Sequence, residues 1–160
     1  MNRSEYAATI RDLLDVHFNA GAGLPAEGSG PAGFDNSAET LFLSPIHAEK
    51  YLEAAREALD YAYADPTSRK AFFIAKPDAE TTPEQAAHEI LAAFLPRAFR
   101  RPVSGEELEQ YLTLFRRSQQ DGEPFDAAIL YALRAVLISP HFLFLVEAEH
   151  DPRAATALRL

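Results

Sequence analysis

The chain has 160 residues, 48% of them hydrophobic, with eleven Phe, six Tyr and a formal charge of −9. That is enough apolar material for one packed domain, or for two small helical units sharing a core, and it excludes wholesale disorder. The negative charge argues against a nonspecific grip on nucleic acid or anionic lipid, and the absence of Cys excludes disulfides, thiolate catalysis, Cys-type zinc sites and thioether-attached haem within this chain.

The spacing predicts a first helix from about Ser4 to Val16, with Tyr6, Ile10, Leu13 and Leu14 on one stripe. No apolar h-region follows Met1, so no signal peptide is visible at this start. The stretch from His17 to Leu43 carries Gly21, Gly23, Pro25, Gly28, Gly30, Pro31 and Gly33, and is expected to be an ordered surface loop. A second helix opens at Ser44-Pro45, a side-chain cap followed by a residue suited to the first turn. Its inward stripe is Ala48, Leu52, Ala55, Leu59 and Ala62, and Asp65-Pro66 ends it. Ala71–Ala75 reads either as a short strand or as extended chain covering the core.

Thr82-Pro83-Glu84-Gln85 has the pattern of a capping box, and the helix it opens directs Ala87, Ile90, Leu91, Phe94 and Ala98 inward. Pro96 is expected to kink that helix or end it a turn early. Ser104-Gly105-Glu106-Glu107 opens the next, with Leu108, Tyr111, Leu112 and Phe115 inward. After the Asp121-Gly122 break, Pro124 starts a long helix burying Phe125, Ala128, Ile129, Ala132, Leu133, Val136 and Leu137. Ser139-Pro140 interrupts it, a short helix runs from His141 to Glu149, and the tail from His150 has little pattern. The apolar runs Ala135–Ile138 and Phe142–Val146 are much too short to span a bilayer. The expected division is residues 1–76, residues 77–149 and a tail of residues 150–160.

Candidate chemistry is sparse. His17, His47, His88, His141 and His150 are scattered, with no HExxH, and Asp12, Asp15 and His17 do not share one helix face. A metal site is therefore not expected, since zinc needs three or four converging ligands. Gly33-Phe34-Asp35-Asn36 reads first as a structural turn and second as an ion or ligand contact through Asp35 and Asn36, with Glu27, Glu39 and carbonyls supplying further oxygens. Arg97, Arg100 and Arg101, with Arg116 and Arg117 later, read first as helix C-terminal cations paired with Glu106, Glu107 or Glu109, and second as an anion or partner site. Ser139 and His141 have no oriented acid and no GxSxG, so Ser139 is a cap before Pro140 rather than a nucleophile.

Several motifs carry a family resemblance. Asn2-Arg3-Ser4-Glu5-Tyr6, Thr9-Ile10-Arg11-Asp12-Leu13-Leu14, Leu24-Pro25-Ala26, Gly33-Phe34-Asp35-Asn36 and Leu43-Ser44-Pro45 with Glu49-Lys50-Tyr51 resemble the N-terminal domain of unknown function in large planctomycete-type multidomain proteins. Phe99-Arg100-Arg101-Pro102-Val103 and Ser139-Pro140-His141-Phe142-Leu143 with Glu147 resemble a later domain of the same proteins. Asp15 departs from the pattern, standing where Gly is expected. The resemblance implies an exported protein, extracytoplasmic in the periplasm or at the cell surface, often cytochrome c-associated through CxxCH motifs in other domains. Some relatives place a carbohydrate-binding β-sandwich between the two domains, whereas here Ala75–Thr82 joins them directly.

The resulting expectation is an all-α fold of five to six helices, a compact C-terminal bundle packed on two N-terminal helices. The chain reads as a fragment: a non-catalytic structural or docking module of an exported, cytochrome-associated protein. It carries no cofactor of its own, and any haem c would sit in domains outside it. Its partners would be neighbouring domains, with polysaccharide or a redox partner reached through the whole protein. One alternative is a small ligand- or metal-binding domain using the 17–43 loop; another is part of an enzyme completed by other domains. The candidate ligand-binding residues are Asp35, Asn36, Arg100, Arg101 and His141.

Overall fold

A computed structural model describes residues 3–17, 19–24 and 45–144, with side chains described from residue 48 onward in the last stretch. The chain is all-α, and no strand occurs among the described residues. Its helices are α1 (Arg3–Leu14), α2 (Pro45–Ala64), α3 (Pro66–Phe72), α4 (Pro83–Phe99), α5 (Gly105–Gln120), α6 (Phe125–Leu137) and α7 (Pro140–Leu143).

Local chemistry explains where most of these helices begin. Thr82 caps α4 and Ser104 caps α5, each accepting from the backbone N–H three residues on, while Gln85 and Glu107 return the bond to the cap's own N–H. Both are complete capping boxes, satisfying amides that a helix start leaves open. Ser139 Oγ accepts from Phe142 N and starts α7 at Pro140. Asp65 ends α2 as expected, but its carboxylate then accepts from Ser68 N and nucleates α3, so a seventh helix replaces the strand option at 71–75. Phe73–Ala75 follows without regular secondary structure, with Phe73 buried. Pro96 does not end α4, which continues to Phe99.

The helices α4, α5 and α6 pack against one another, α2 lies along α6, α3 bridges α1, α2 and α4, and α7 closes onto α4 and α6. One continuous apolar core contains Tyr6, Ile10 and Leu14 of α1, Leu59 of α2, Phe72 of α3, Leu91 and Phe94 of α4, Phe115 of α5, Leu133 of α6 and Phe142 of α7. The predicted stripes of α1, α4 and α6 are buried, Phe125 only in part. On α2 the stripe needs correction: Ala48 and Leu52 are exposed, and Tyr51, Ala54, Ala55, Ala58, Leu59 and Ala62 face inward. The reason is the Tyr51 ring, which meets Tyr6 edge-on at 5.1 Å and turns the first half of α2 away from Leu52.

Two backbone positions tie α1 down. Asp15, just past α1, has φ +52°, the left-handed region that Gly enters freely, which explains why Gly is expected there. Gly21 passes so close to the start of α1 that a Cβ would lie 2.9 Å from the Arg3 carbonyl oxygen. The cap at Ser44, the remainder of the loop to Leu43, the chain beyond Phe144 and the tail of residues 150–160 lie outside the described residues.

Candidate functional site

The predicted site residues divide at once. Asp35 and Asn36 lie outside the described residues. Arg100, Arg101 and His141 come together where the end of α4 meets the starts of α5 and α7, and Arg97 belongs with them.

The last turn of α4 reaches back to the N-terminal helices. Arg97 donates from Nη2 to the Leu13 carbonyl and from Nη1 to the Ala71 carbonyl, both at 2.9 Å. Those carbonyls lie in the last turns of α1 and α3, where helices leave acceptors unfilled and the dipole is negative. One guanidinium thus caps two helix C-termini. Arg100 closes α4 in the left-handed conformation, φ +53°, and donates from Nη2 to Thr9 Oγ1 on α1 at 2.7 Å. Nearby, Ser68 of α3 donates to the Asp15 carbonyl at 2.6 Å.

Arg101 turns the other way. Its Nη1 and Nη2 grip the two oxygens of Glu107 at 3.0 and 2.5 Å, a bidentate fork in which geometry and charge reinforce each other. Arg101, helped by the Ser104 backbone N–H, holds the Glu107 carboxyl down at about 2. Nη2 of Arg101 also lies 3.3 Å from His141 Nδ1, and His141 Nε2 is 3.9 Å from Glu107 Oε1. The Phe99 ring lies beneath both, 5.4 Å from the His141 ring and 5.5 Å from the Arg101 guanidinium. Tyr111 is buried beside them, which pushes its hydroxyl pKa up.

This arrangement holds helices and leaves little for chemistry. Ser139 Oγ is buried and committed to capping α7. The Arg101 fork is filled by Glu107 within the chain, and the carboxylate beside His141 is that same Glu107, 3.9 Å away and already held by Arg101. Among the described residues, no three His, Asp or Glu side chains converge on a point where a metal could sit, Asp12, Asp15 and His17 included.

Sequence reasoning anticipated the Arg101–Glu107 pairing and missed the targets of Arg97 and Arg100. A carbonyl on another helix leaves no residue-type signal, and Thr9 is 91 residues away from Arg100. A second missed link joins α2 to α6: the Tyr63 hydroxyl donates to the Asp126 carboxylate, which raises the Tyr63 pKa. Two open surface regions lie on the bundle. One, of about 660 Å³, lies between α4 and α5 beside Glu84, His88, Glu109 and Arg116; the other lies between the end of α5 and α6.

The motifs behind the family resemblance are thus in contact: Phe99, Arg100 and Arg101 touch Thr9 and His141, and Phe142 meets Tyr6 edge-on at 5.9 Å. Residues 1–64 match PSD3, a protein family of unknown function (DUF1587). Residues 86–147 match PSD5, a protein family of unknown function (DUF1595). No curated protein and no solved structure matches the chain. With α3 lying between the two matched stretches and touching helices of both, the chain carries these two domains of unknown function in direct succession, the pairing characteristic of the planctomycete-type proteins that its motifs resemble.

Proposed function

We propose that this chain is a non-catalytic structural and docking module of an exported, cytochrome-associated multidomain protein, a rigid holder that sets the positions of neighbouring redox or polysaccharide-binding domains. The observation that carries this reading is the use made of Arg97, Arg100 and Arg101. The sequence offers them as a ligand cluster, yet each is occupied within the chain, joining α4 to α1, α3 and α5. A holder needs this: its parts must not move relative to one another, so that a domain attached to one end is fixed relative to a domain attached to the other. The shared core serves the same end.

This chain holds no native thiol to compete with a label. In the full-length protein, with any free thiol outside this chain blocked or replaced, one cysteine is introduced at exposed Gln120 of α5 and one in the adjoining domain, and both receive nitroxides. Pulsed dipolar spectroscopy is expected to give one narrow distance distribution, broadening in Arg97→Ala. A broad distribution in the parent protein means that the module does not set domain position and rules the reading out.

A further inference from the structure

We propose that the cavity between the end of α5 and the outer face of α6 binds a small molecule bearing a single carboxylate, held by Arg117 and Arg134 with its apolar body against Tyr131. This goes beyond the holder role and uses none of the residues of the α4 junction.

The cavity has a volume of about 370 Å³, at the lower end of the range for small-ligand sites. Helix spacing builds it. Ala127, Tyr131 and Arg134 follow one another on α6 at steps of four and three, so they share a face. Ala127 is the small member, and its lack of bulk leaves the space open. Across from it, Arg117 stands in the last turn of α5, just before the turn at Asp121.

Arg117 differs from the arginines of the α4 junction and from its neighbour Arg116. Arg97, Arg100, Arg101 and Arg116 are all spent on partners within the chain. Arg117 is exposed and forms no ion pair among the described residues. Arg134 is half-buried, with Nη2 reaching Asp60 at 2.8 Å and Nε sealed from the surface, so it contributes positive charge while the exposed Arg117 guanidinium supplies the forked grip on a carboxylate. Tyr131 is 47% exposed and sets a large ring at the edge of the cavity, with apolar surface that a ligand could cover. Asp121 and Glu123 also line the cavity, and their charge disfavours ligands with several negative groups. A single carboxylate on a ring-sized apolar body satisfies all of these constraints.

Benzoate is the probe, followed by amide chemical shifts in the whole chain, with benzylamine as the cation of matching shape and phthalate as the dianion. Saturable shifts confined to residues of α5 and α6 around the cavity are expected with benzoate in the millimolar range, with phthalate weaker and benzylamine without effect. Arg117→Ala, which removes no internal ion pair, should weaken benzoate about tenfold. Ala127→Leu should abolish binding by filling the space while leaving the charges in place. Absence of saturation with benzoate overturns the proposal. So does equal binding of benzylamine, or undiminished affinity in both variants.

Discussion

The end of α4 and the outer flank of α5 both set arginines beside acidic partners, and they accomplish different things. On α5, Arg116 bridges Glu84 at 2.6 Å and Glu109 at 2.5 Å, and both carboxylates are more than half exposed. Water already solvates those oxygens well, so little is gained by replacing it. At the end of α4, Arg97 donates to two carbonyls that close α1 and α3 and that have no helical partner. Each arginine has two partners, and Arg116 in fact makes three hydrogen bonds to the two of Arg97. What differs is what each acceptor would lack without the arginine, and whether the contact joins elements far apart in sequence.

The largest effect should come from the core that both halves share. Phe142 is 1% exposed and meets Tyr6 edge-on, so Phe142→Ala removes a ring that joins α7 to α1. A loss of about 3–5 kcal/mol is expected from urea denaturation. The parent protein should unfold in one transition by far-UV circular dichroism and by Tyr fluorescence alike. Two separated transitions would show that the N-terminal helices and the α4–α6 bundle fold independently, and the contrast drawn above would lose its basis. Next comes the comparison of the arginines themselves. Arg97→Ala should cost about 1–3 kcal/mol, since two charge-assisted bonds to helix ends are lost. Arg116→Ala should cost less than about 1 kcal/mol, and less still at high salt. Equal losses in the two variants, measured side by side in the same urea series, would break the comparison.

The α4–α6 bundle was legible because its signals are local. Each capping box spans four residues, and each apolar stripe repeats within one helix. The N-terminal half was harder to read for the opposite reason. Leu52 was assigned inward because it fits the period of Ala55 and Leu59, but the face of α2 is fixed by Tyr51 against Tyr6, a contact across 45 residues. Asp65 signals a helix end in sequence, and only its bond to Ser68 N shows that the same residue begins α3. The candidate site was legible in membership and not in role: Arg100, Arg101 and His141 do meet, but their occupation by Thr9, Glu107 and Phe99 depends on how distant helices dock. Asp15 departs from the family pattern at a position whose φ of +52° is the left-handed conformation that Gly enters freely.

The smallest effect is the one that separates charge from geometry at the junction. Glu107→Gln keeps one side-chain oxygen, which can still accept from the Ser104 N–H as Gln85 does in the other capping box, but it replaces the second oxygen facing Arg101 with an N–H donor and removes the negative charge. The Glu107 carboxyl falls from an ordinary 4.5 to about 2 in the folded chain because Arg101, and then the Ser104 N–H, favour its ionised form. A depressed folded value means that the ionised form stabilises the fold above the unfolded pKa, and that this contribution fades as pH falls through the folded one. The difference in stability between the parent and Glu107→Gln should therefore be constant from neutral pH down to about 4.5, then shrink towards zero near 2. Its size at neutral pH should stay below about 1 kcal/mol, because the pair is partly solvated. Taking the difference between the two proteins cancels the other carboxylates, such as Asp65 and Glu109, whose pKa values are also lowered. A difference that persists unchanged to pH 2 would mean that Gln disturbs the capping box itself, and that the junction is held by shape more than by the Arg101 charge.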